Sequence, residues 1–528
     1  MMKRLELILA LLLLVAAAGL HITRATKAGG LWRDEAGAVQ LAMMPAISDI
    51  PRLLEHEAFP ILFSLTLRGY TAMAGDGDVA LRVFGLLVGL GLLAAVWFVA
   101  KTLTGGIPLL ALALLGINAA VIQWADWTRG HGLGTLLILL TFAFIWKVAT
   151  APSRVAIGLA TLAALASVHT LYYNAVLLFA IGLAGAAVAW RAGSWQRALL
   201  VLGICGVAAL SLLPYLRTIR GAGEWSHIFT IPEFSLGIFW EKLSIALSAA
   251  PPVRWIWITL ALGTVITALV LLYRARGREQ EVALYCLLTL GIGLPCYYLF
   301  LKFLKYPTQP WYYVALLGVV AVAMEAVLST VLAQRWGGAL RMALAAAIAL
   351  LSFAPTLEAI QLRQTNIDLV AAKLQESVAE GDVVVVMPWY LGVPFSRYYH
   401  GPAPWTTVPP VEDYRLQRYD LFKAQMAASE PLAPVFEAME KALRSGHKVW
   451  LVGQLVFPQE GVTVPVAGPA PDPFGWSEGA YLMGWMHQAM QFLQDHVATA
   501  EEIKIPVSQP LNPHEYVQVI VVRGWRGD

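Results

Sequence analysis

Charge is what this chain has least of. Asp, Glu, Lys and Arg supply 13% of its 528 residues against 58% apolar types, too little charge and too much apolar surface for a soluble globular protein of this length. The net balance is also slight, a formal +3, so a nucleic-acid partner has no electrostatic support. Cysteine is scarce. Cys205, Cys286 and Cys296 all fall inside apolar stretches, where a thiol packs as a small hydrophobe rather than as a disulfide partner or metal ligand. A glycine-rich phosphate loop, a nucleophile elbow and a firm set of metal ligands are all missing, and with them any visible nucleotide site.

Long hydrophobic runs are what the sequence has in their place. With about 20 residues needed to cross the hydrocarbon, spans fall near 5–22, 79–100, 107–124, 132–150, 155–170, 172–190, 198–216, 255–273, 282–301, 312–332 and 340–356. The first also fits a cleaved signal peptide, since Met-Met-Lys-Arg precedes a leucine-rich run. Lys3, Arg4, Lys101, Lys147, Arg154, Arg191, Arg197, Arg274, Arg276, Arg278, Arg335 and Arg341 fall on one side of these spans, which the positive-inside tendency assigns to the cytoplasm. The acidic residues of the connections collect on the opposite side. An odd number of spans then puts everything after about residue 357 outside.

The outer connections at 23–78 and 218–254 are long and rich in Trp, Pro, His and charge. Stretches such as RLLEHEAFPILFSLTLRGYTAMAG are amphipathic and too polar to span, which predicts helices lying in the outer interface. After Pro355 the composition turns less apolar. GDVVVVMPWY (381–390), GHKVWLVGQ (446–454) and HEYVQVIVVRG (514–524) read as buried strands, with helical patterns such as LAPVFEAMEKALRSG (432–446) between them, an alternation that predicts a small α/β domain. Exposed aromatics are expected in PWYLGVPFSRYYHGPAPW (388–405), where they would suit sugar or lipid contact. The organisation that follows is a transmembrane domain over 1–357 and a soluble extracytoplasmic α/β domain over 358–528.

LWRDEAGAVQLA, which begins shortly after the first span, together with HEAFPILFSLTLRGYTAMAGDGDVALRVFGLLVGLGLLAAVWFVAKTLTG, resembles the opening of glycosyltransferase family 39 and related bacterial enzymes of the GT-C type. The likeness covers roughly residues 1–330 and is strongest over 30–104. It implies a mainly α, polytopic membrane protein with about eleven transmembrane helices and interfacial helices in the first outer loop. It also implies a polyprenyl-phosphate-linked sugar donor, a site on the outer face of a bacterial inner membrane, and a lipid, glycan or protein acceptor. The family's catalytic aspartate falls on Asp34, beside Glu35; its following elements fall on His56-Glu57 with Pro60, on Arg129, on His169 and on KYPTQPWYY at 305–313.

Moving a sugar from a phosphate to a hydroxyl needs a base for the hydroxyl proton and cations for the departing phosphate. Asp34 is the expected base, with Glu35 orienting acceptor or backbone. Arg129 suits a phosphate through paired hydrogen bonds, with Lys305, His169 and His56 as further donor-phosphate ligands and Glu57 for sugar or acceptor hydroxyls. Plainer roles exist for each. Asp34 could cap an interfacial helix, Arg129 could snorkel to lipid headgroups or pair with Asp126, and Tyr172 and Tyr173 fit an interfacial aromatic belt. Asp76-Gly-Asp78 has the form that nucleotide-sugar transferases use to hold a metal, but Asp78 directly precedes a span and reads as a helix cap. No cofactor follows from the sequence, and a divalent metal stays open. The competing class is a polytopic transporter or lipid flippase; against it, no internal repeat is visible and the polar residues cluster at one face rather than at mid-span.

Overall fold

The computed structural model describes residues 2–57, 59–225, 234–304, 308–332, 335–459, 464, 466–470 and 477–527. Among them, nine helices are long and apolar enough to cross a membrane: Met2–Lys27, Asp78–Leu103, Gly130–Thr150, Asn174–Arg191, Trp195–Arg220, Pro251–Arg274, Arg278–Leu304, Pro310–Val331 and Trp336–Ile360. The protein is an integral membrane protein. The two remaining expected spans take other forms. Residues 155–170 give the shorter apolar helix Arg154–Val168, and residues 107–124 give two short helices, Leu109–Gly116 and Ala119–Ala125.

Asn118 is the reason for that break. Its side-chain oxygen accepts from the Ala120 and Val121 amides at 2.9 and 3.2 Å, while its amide group donates to the Ala246 and Leu247 carbonyls at 3.1 and 2.8 Å. An Asn that caps the second half of an apolar run ends the first half. Asn118→Leu removes the cap and orphans two buried carbonyls. The expected result is a loss of about 1–3 kcal/mol, read as a lower melting temperature of the detergent-solubilised protein.

Buried charge near the other end of Leu109–Gly116 is paired. Glu325, 2% exposed, accepts from the Leu110 and Ala111 amides at 2.6 and 3.1 Å and from Arg341 Nη2 at 2.6 Å. A carboxylate at a helix N-terminus, paired with a guanidinium, is a form in which charge is tolerated inside a bundle. Arg341 also lies 3.7 Å from Glu6, tying the first span to the last.

The chain divides into two compact units: Met1–Lys27 with Phe59–Arg217 and Glu233–Gln361, and Ala28–Ala58 with Thr218–Pro232 and Leu362–Asp528. The second is built on a five-stranded mixed sheet of β1 (Val383–Met387), β2 (Trp405–Thr407), β3 (Lys448–Gly453), β4 (Val497–Glu502) and β5 (Gln518–Trp525), in the order β2-β1-β3-β5-β4. β1 runs parallel to β2 and β3, and β5 antiparallel to β3 and β4. Alternate residues of the valine-rich strands feed two cores. Val385, Val449 and Leu451 face Phe422, Met439 and Trp485 on one side, and Val384, Val386 and Val452 face Ile367, Leu374 and Phe395 on the other.

Two sequence expectations change here. The aromatics of residues 388–405 are largely core rather than exposed: Trp389 is 1%, Phe395 0% and Tyr399 4% accessible, because the segment folds as Trp389–Leu391 and Gly392–Tyr398 helical turns against β1. Gly77, not Asp78, is the N-cap residue of its helix, and Asp78 is the first helical residue.

Candidate functional site

The first long loop, Ala28–Ala58, packs with the C-terminal residues as one unit. Leu31 N–H donates to Tyr398 Oη at 2.7 Å, Gln40 Nε2 to the Val393 carbonyl at 2.9 Å, and Gln364 N–H to the Ala28 carbonyl at 2.8 Å. These bonds fix the helix Arg33–Ala42, whose first turn carries Asp34 and Glu35. Trp32, not Asp34, is its N-cap residue, and no side chain caps it. Asp34 instead accepts at Oδ1 from Gln417 Nε2 at 2.8 Å.

Beside it, Arg33 Nε lies 3.8 Å from Asp34 Oδ1 and 3.4 Å from Glu515 Oε1, with its guanidinium 4.5 Å from the Tyr390 ring centre. Burial opposes the charge on Arg33, but Glu515 and Asp34 more than offset that and keep it protonated. Glu515 is 2% exposed and its Oε2 has no hydrogen-bond partner. Burial raises its carboxyl, with Asp34 adding to the rise and Arg33 opposing it, to about 7.

That shift has a stability consequence. A carboxyl whose folded value is raised binds its proton more tightly in the native state than in the unfolded chain, so stability falls as pH rises between the ordinary glutamate value and 7, and the loss is complete above 7. Glu515→Gln should flatten that part of the melting-temperature profile and leave the protein more stable than the parent at pH 8. A melt series over this range, in buffered detergent, measures it.

Glu35 is fully buried. A Cβ on Gly37 would stand 2.9 Å from Glu57 Oε1, so glycine at this position lets the Glu57 carboxylate approach the helix one turn after Asp34. His56 diverges from this group. Its Nε2 is 3.7 Å from Glu55 and 3.9 Å from Asp420, and Asp420 is itself bound by Arg418 at 2.8 and 2.5 Å. Burial lowers the His56 imidazole below its ordinary value against the pull of Asp420, which leaves it neutral near pH 7.

In the other unit, Arg129 precedes the helix Gly130–Thr150 as its N-cap residue and is 8% exposed. Its guanidinium lies 4.6 Å from the Phe59 ring centre, a desolvated cation–π contact. Asp126 is not drawn to it: the Asp126 oxygens lie 2.8 and 2.9 Å from His21 Nδ1. Gly89 makes that pair possible, since a Cβ there would stand 2.3 Å from Asp126 Oδ1 and 2.4 Å from His21 Nδ1.

His131 is a residue that sequence reasoning missed. Its Nδ1 is 2.8 Å from Tyr173 Oη and its ring packs on Phe59, Trp311 and Tyr312. Tyr173 is therefore an interior residue, 5% exposed, rather than part of an interfacial belt. The signal was available as a His two residues after Arg129. The His169 side chain turns elsewhere, with Nδ1 3.1 Å from Tyr215 Oη and Nε2 2.9 Å from Ser211 Oγ. Lys305 lies outside the described residues. Among the described residues, no group of three or more His, Cys, Asp or Glu side chains is placed to hold a metal ion.

No protein-family model matches the chain, and no curated protein does. Solved structures do match it. ArnT from Cupriavidus metallidurans in the apo state aligns with a TM-score of 0.53 at 13% identity, covering 97% of both chains. The same protein bound to undecaprenyl phosphate aligns at 0.51 and 12%, covering 98% of this chain and 97% of that one. The apo oligosaccharyltransferase of Archaeoglobus fulgidus, at 11% identity and a TM-score of 0.49, covers 84% of this chain and 69% of that one. The chain shares the fold of ArnT, a mainly α, polytopic membrane fold of the kind that the resemblance of its first loop implied.

Proposed function

We propose that this protein is a membrane glycosyltransferase that moves a sugar from a polyprenyl-phosphate donor to an acceptor hydroxyl, with inversion, at the outer face of a bacterial inner membrane. The observation that carries the proposal is Asp34 itself: a carboxylate whose side chain is 20% exposed, in the first turn of a helix held by several hydrogen bonds, in the loop after the first span of a GT-C fold. In the reaction, Asp34 takes the acceptor hydroxyl proton, the acceptor oxygen forms its bond to the sugar C1, and the C1–O bond to phosphate breaks. The polyprenyl phosphate leaves with the electron pair, its developing charge met by Arg129 and Lys305. Glu57, one helical turn from Asp34, accepts from sugar or acceptor hydroxyls. Glu35 is fully buried, which supports a role in holding the helix rather than in proton transfer.

His169 and His56 support the site less directly. Each is engaged by neighbours, His169 by Ser211 and Tyr215 and His56 by Glu55 and Asp420, so that a phosphate would have to displace those contacts. Their replacement by Gln is expected to cost less than tenfold in rate, as read by initial rates in proteoliposomes. The function is tested by supplying defined polyprenyl-phosphate sugars with a membrane extract as acceptor. A glycosylated product of inverted anomeric configuration, formed one for one with free polyprenyl phosphate, supports it. A retained configuration or a hydrolysed sugar with no acceptor product overturns it.

A further inference from the structure

The C-terminal residues offer more than a fold around the first loop. Gln417, 383 residues from Asp34 in sequence, donates through Nε2 to Asp34 Oδ1 at 2.8 Å. A glutamine amide has a donor end and an acceptor end, and which end faces Asp34 decides whether it helps or harms a carboxylate. Asp34 settles this, because an ionised carboxylate only accepts and so takes the N–H end. The oxygen end is left for Tyr419, whose hydroxyl donates to Gln417 Oε1 at 3.1 Å. Tyr419 is in turn held edge-on against Trp389 at 5.3 Å between ring centres, and Trp389 stacks on Phe422 at 5.3 Å. Trp389 and Phe422 are 1% and 0% exposed. The relay therefore starts in a rigid core and ends on the carboxylate.

We infer that the C-terminal domain positions the catalytic base of this enzyme, with Gln417 as the positioning residue and Tyr419 as the group that anchors the oxygen end of its amide. This rests on Asp34 being the base. A bond from an amide N–H to one carboxylate oxygen fixes the plane of the group, and with it the direction from which a general base takes the acceptor proton. It does no chemistry of its own and touches neither donor nor acceptor. The titratable and charged groups around this pair include Arg33, Glu515, Tyr390 and Tyr419, with Glu478 acting on Arg33, and Arg418 and Asp420 next along the chain from Gln417 with Asp413 on Arg418. Among them Arg33 supplies the charge that faces Asp34, so the neutral Gln417 supplies direction rather than charge.

The test is steady-state transfer in proteoliposomes by the full-length chain, with Asp34→Asn as reference. Gln417→Leu keeps the volume and removes the donor; kcat should fall about ten- to hundredfold with the donor KM unchanged. Gln417→Glu is the discriminating variant. Its carboxylate faces Asp34 as a like charge, which raises one of the two carboxyls, and only its protonated form can donate as the amide did. The ratio of Gln417→Glu to Gln417→Leu activity should therefore climb as pH falls from about 8 to about 6, a dependence that a merely structural residue would not produce. Tyr419→Phe removes one hydroxyl without disturbing the ring packing; it should lower kcat about threefold with KM unchanged and serves if the Gln417 variants fail to fold. Parent-like kcat and pH profile in Gln417→Leu and Tyr419→Phe, alongside an inactive Asp34→Asn, would overturn the positioning role and leave the base in place. An active Asp34→Asn would overturn the base itself.

Discussion

Asp34→Asn should lower the rate of sugar transfer by about 10²- to 10⁴-fold, the range that a positioned general base supplies, while the protein remains folded. Asparagine has the shape of aspartate and keeps an oxygen for the Gln417 amide, so the bond that orients the side chain survives. What is lost is the ability to take a proton. The local charge balance shifts only in part, because Arg33 keeps Glu515 as its remaining close carboxylate at 3.4 Å, and the Glu515 side chain is less exposed to water than that of Asp34. The melting temperature should therefore move little, and the loss should appear in kcat rather than in the donor KM. A parent-like kcat would remove Asp34 from the mechanism and leave it as an acidic residue in a helix's first turn.

Arg129 should give the second large effect, of a different kind. Arg129→Ala removes a buried guanidinium that faces the Phe59 ring. If it holds the phosphate, the donor is lost in the ground state as well as in the transition state. The expected result is a fall of about 10²- to 10³-fold in kcat/KM for the donor, the effect of losing one strong donor to a developing oxyanion, with a visible rise in KM. Arg129→Lys should recover only a small part of it, since an ammonium offers a point charge where a guanidinium offers a planar fork that also stacks on a ring. Direct binding of a polyprenyl phosphate to purified protein, compared across the three forms, separates this from a folding defect: binding that is unchanged in Arg129→Ala would remove Arg129 from donor binding.

Hydropathy read along the chain found most of the membrane helices because each of those signals is local: a run of about 20 apolar residues needs no information from elsewhere. The strands at 381–390, 446–454 and 514–524 were legible for the same reason, as short valine-rich runs bounded by turn residues, and they appear as β1, β3 and β5. Asn118 shows where this reasoning stops. Its position inside an apolar run looks like a tolerated polar residue, and only the Ala246 and Leu247 carbonyls, 128 and 129 residues away, make it a break.

The candidate site divides along the same line. Asp34 and Arg129 could be picked out from their own surroundings and from the resemblance. Gln417 and Glu515 could not, because nothing in QRYD or HEYV marks a residue that reaches Asp34 or Arg33 across nearly the whole chain. The aromatics of residues 388–405 misled for a related reason: Trp, Tyr and Phe near Gly and Pro look equally like an exposed sugar platform and like core turns, and burial is decided by what packs above them. For Asp126, the nearby Arg129 was the partner the sequence offered as a plain alternative, whereas the one its oxygens approach, His21, is 105 residues away.

The most direct test of the account is transfer of radiolabelled sugar in sealed proteoliposomes, with a panel of polyprenyl-phosphate sugars, a membrane extract as acceptor, and lipid and solute movement followed in the same vesicles. The account predicts label in a glycosylated product with the parent protein, none above background with Asp34→Asn, and no protein-dependent movement of lipid or solute. Movement of lipid or solute across the bilayer with no labelled product from any donor would contradict it and make this protein a transporter.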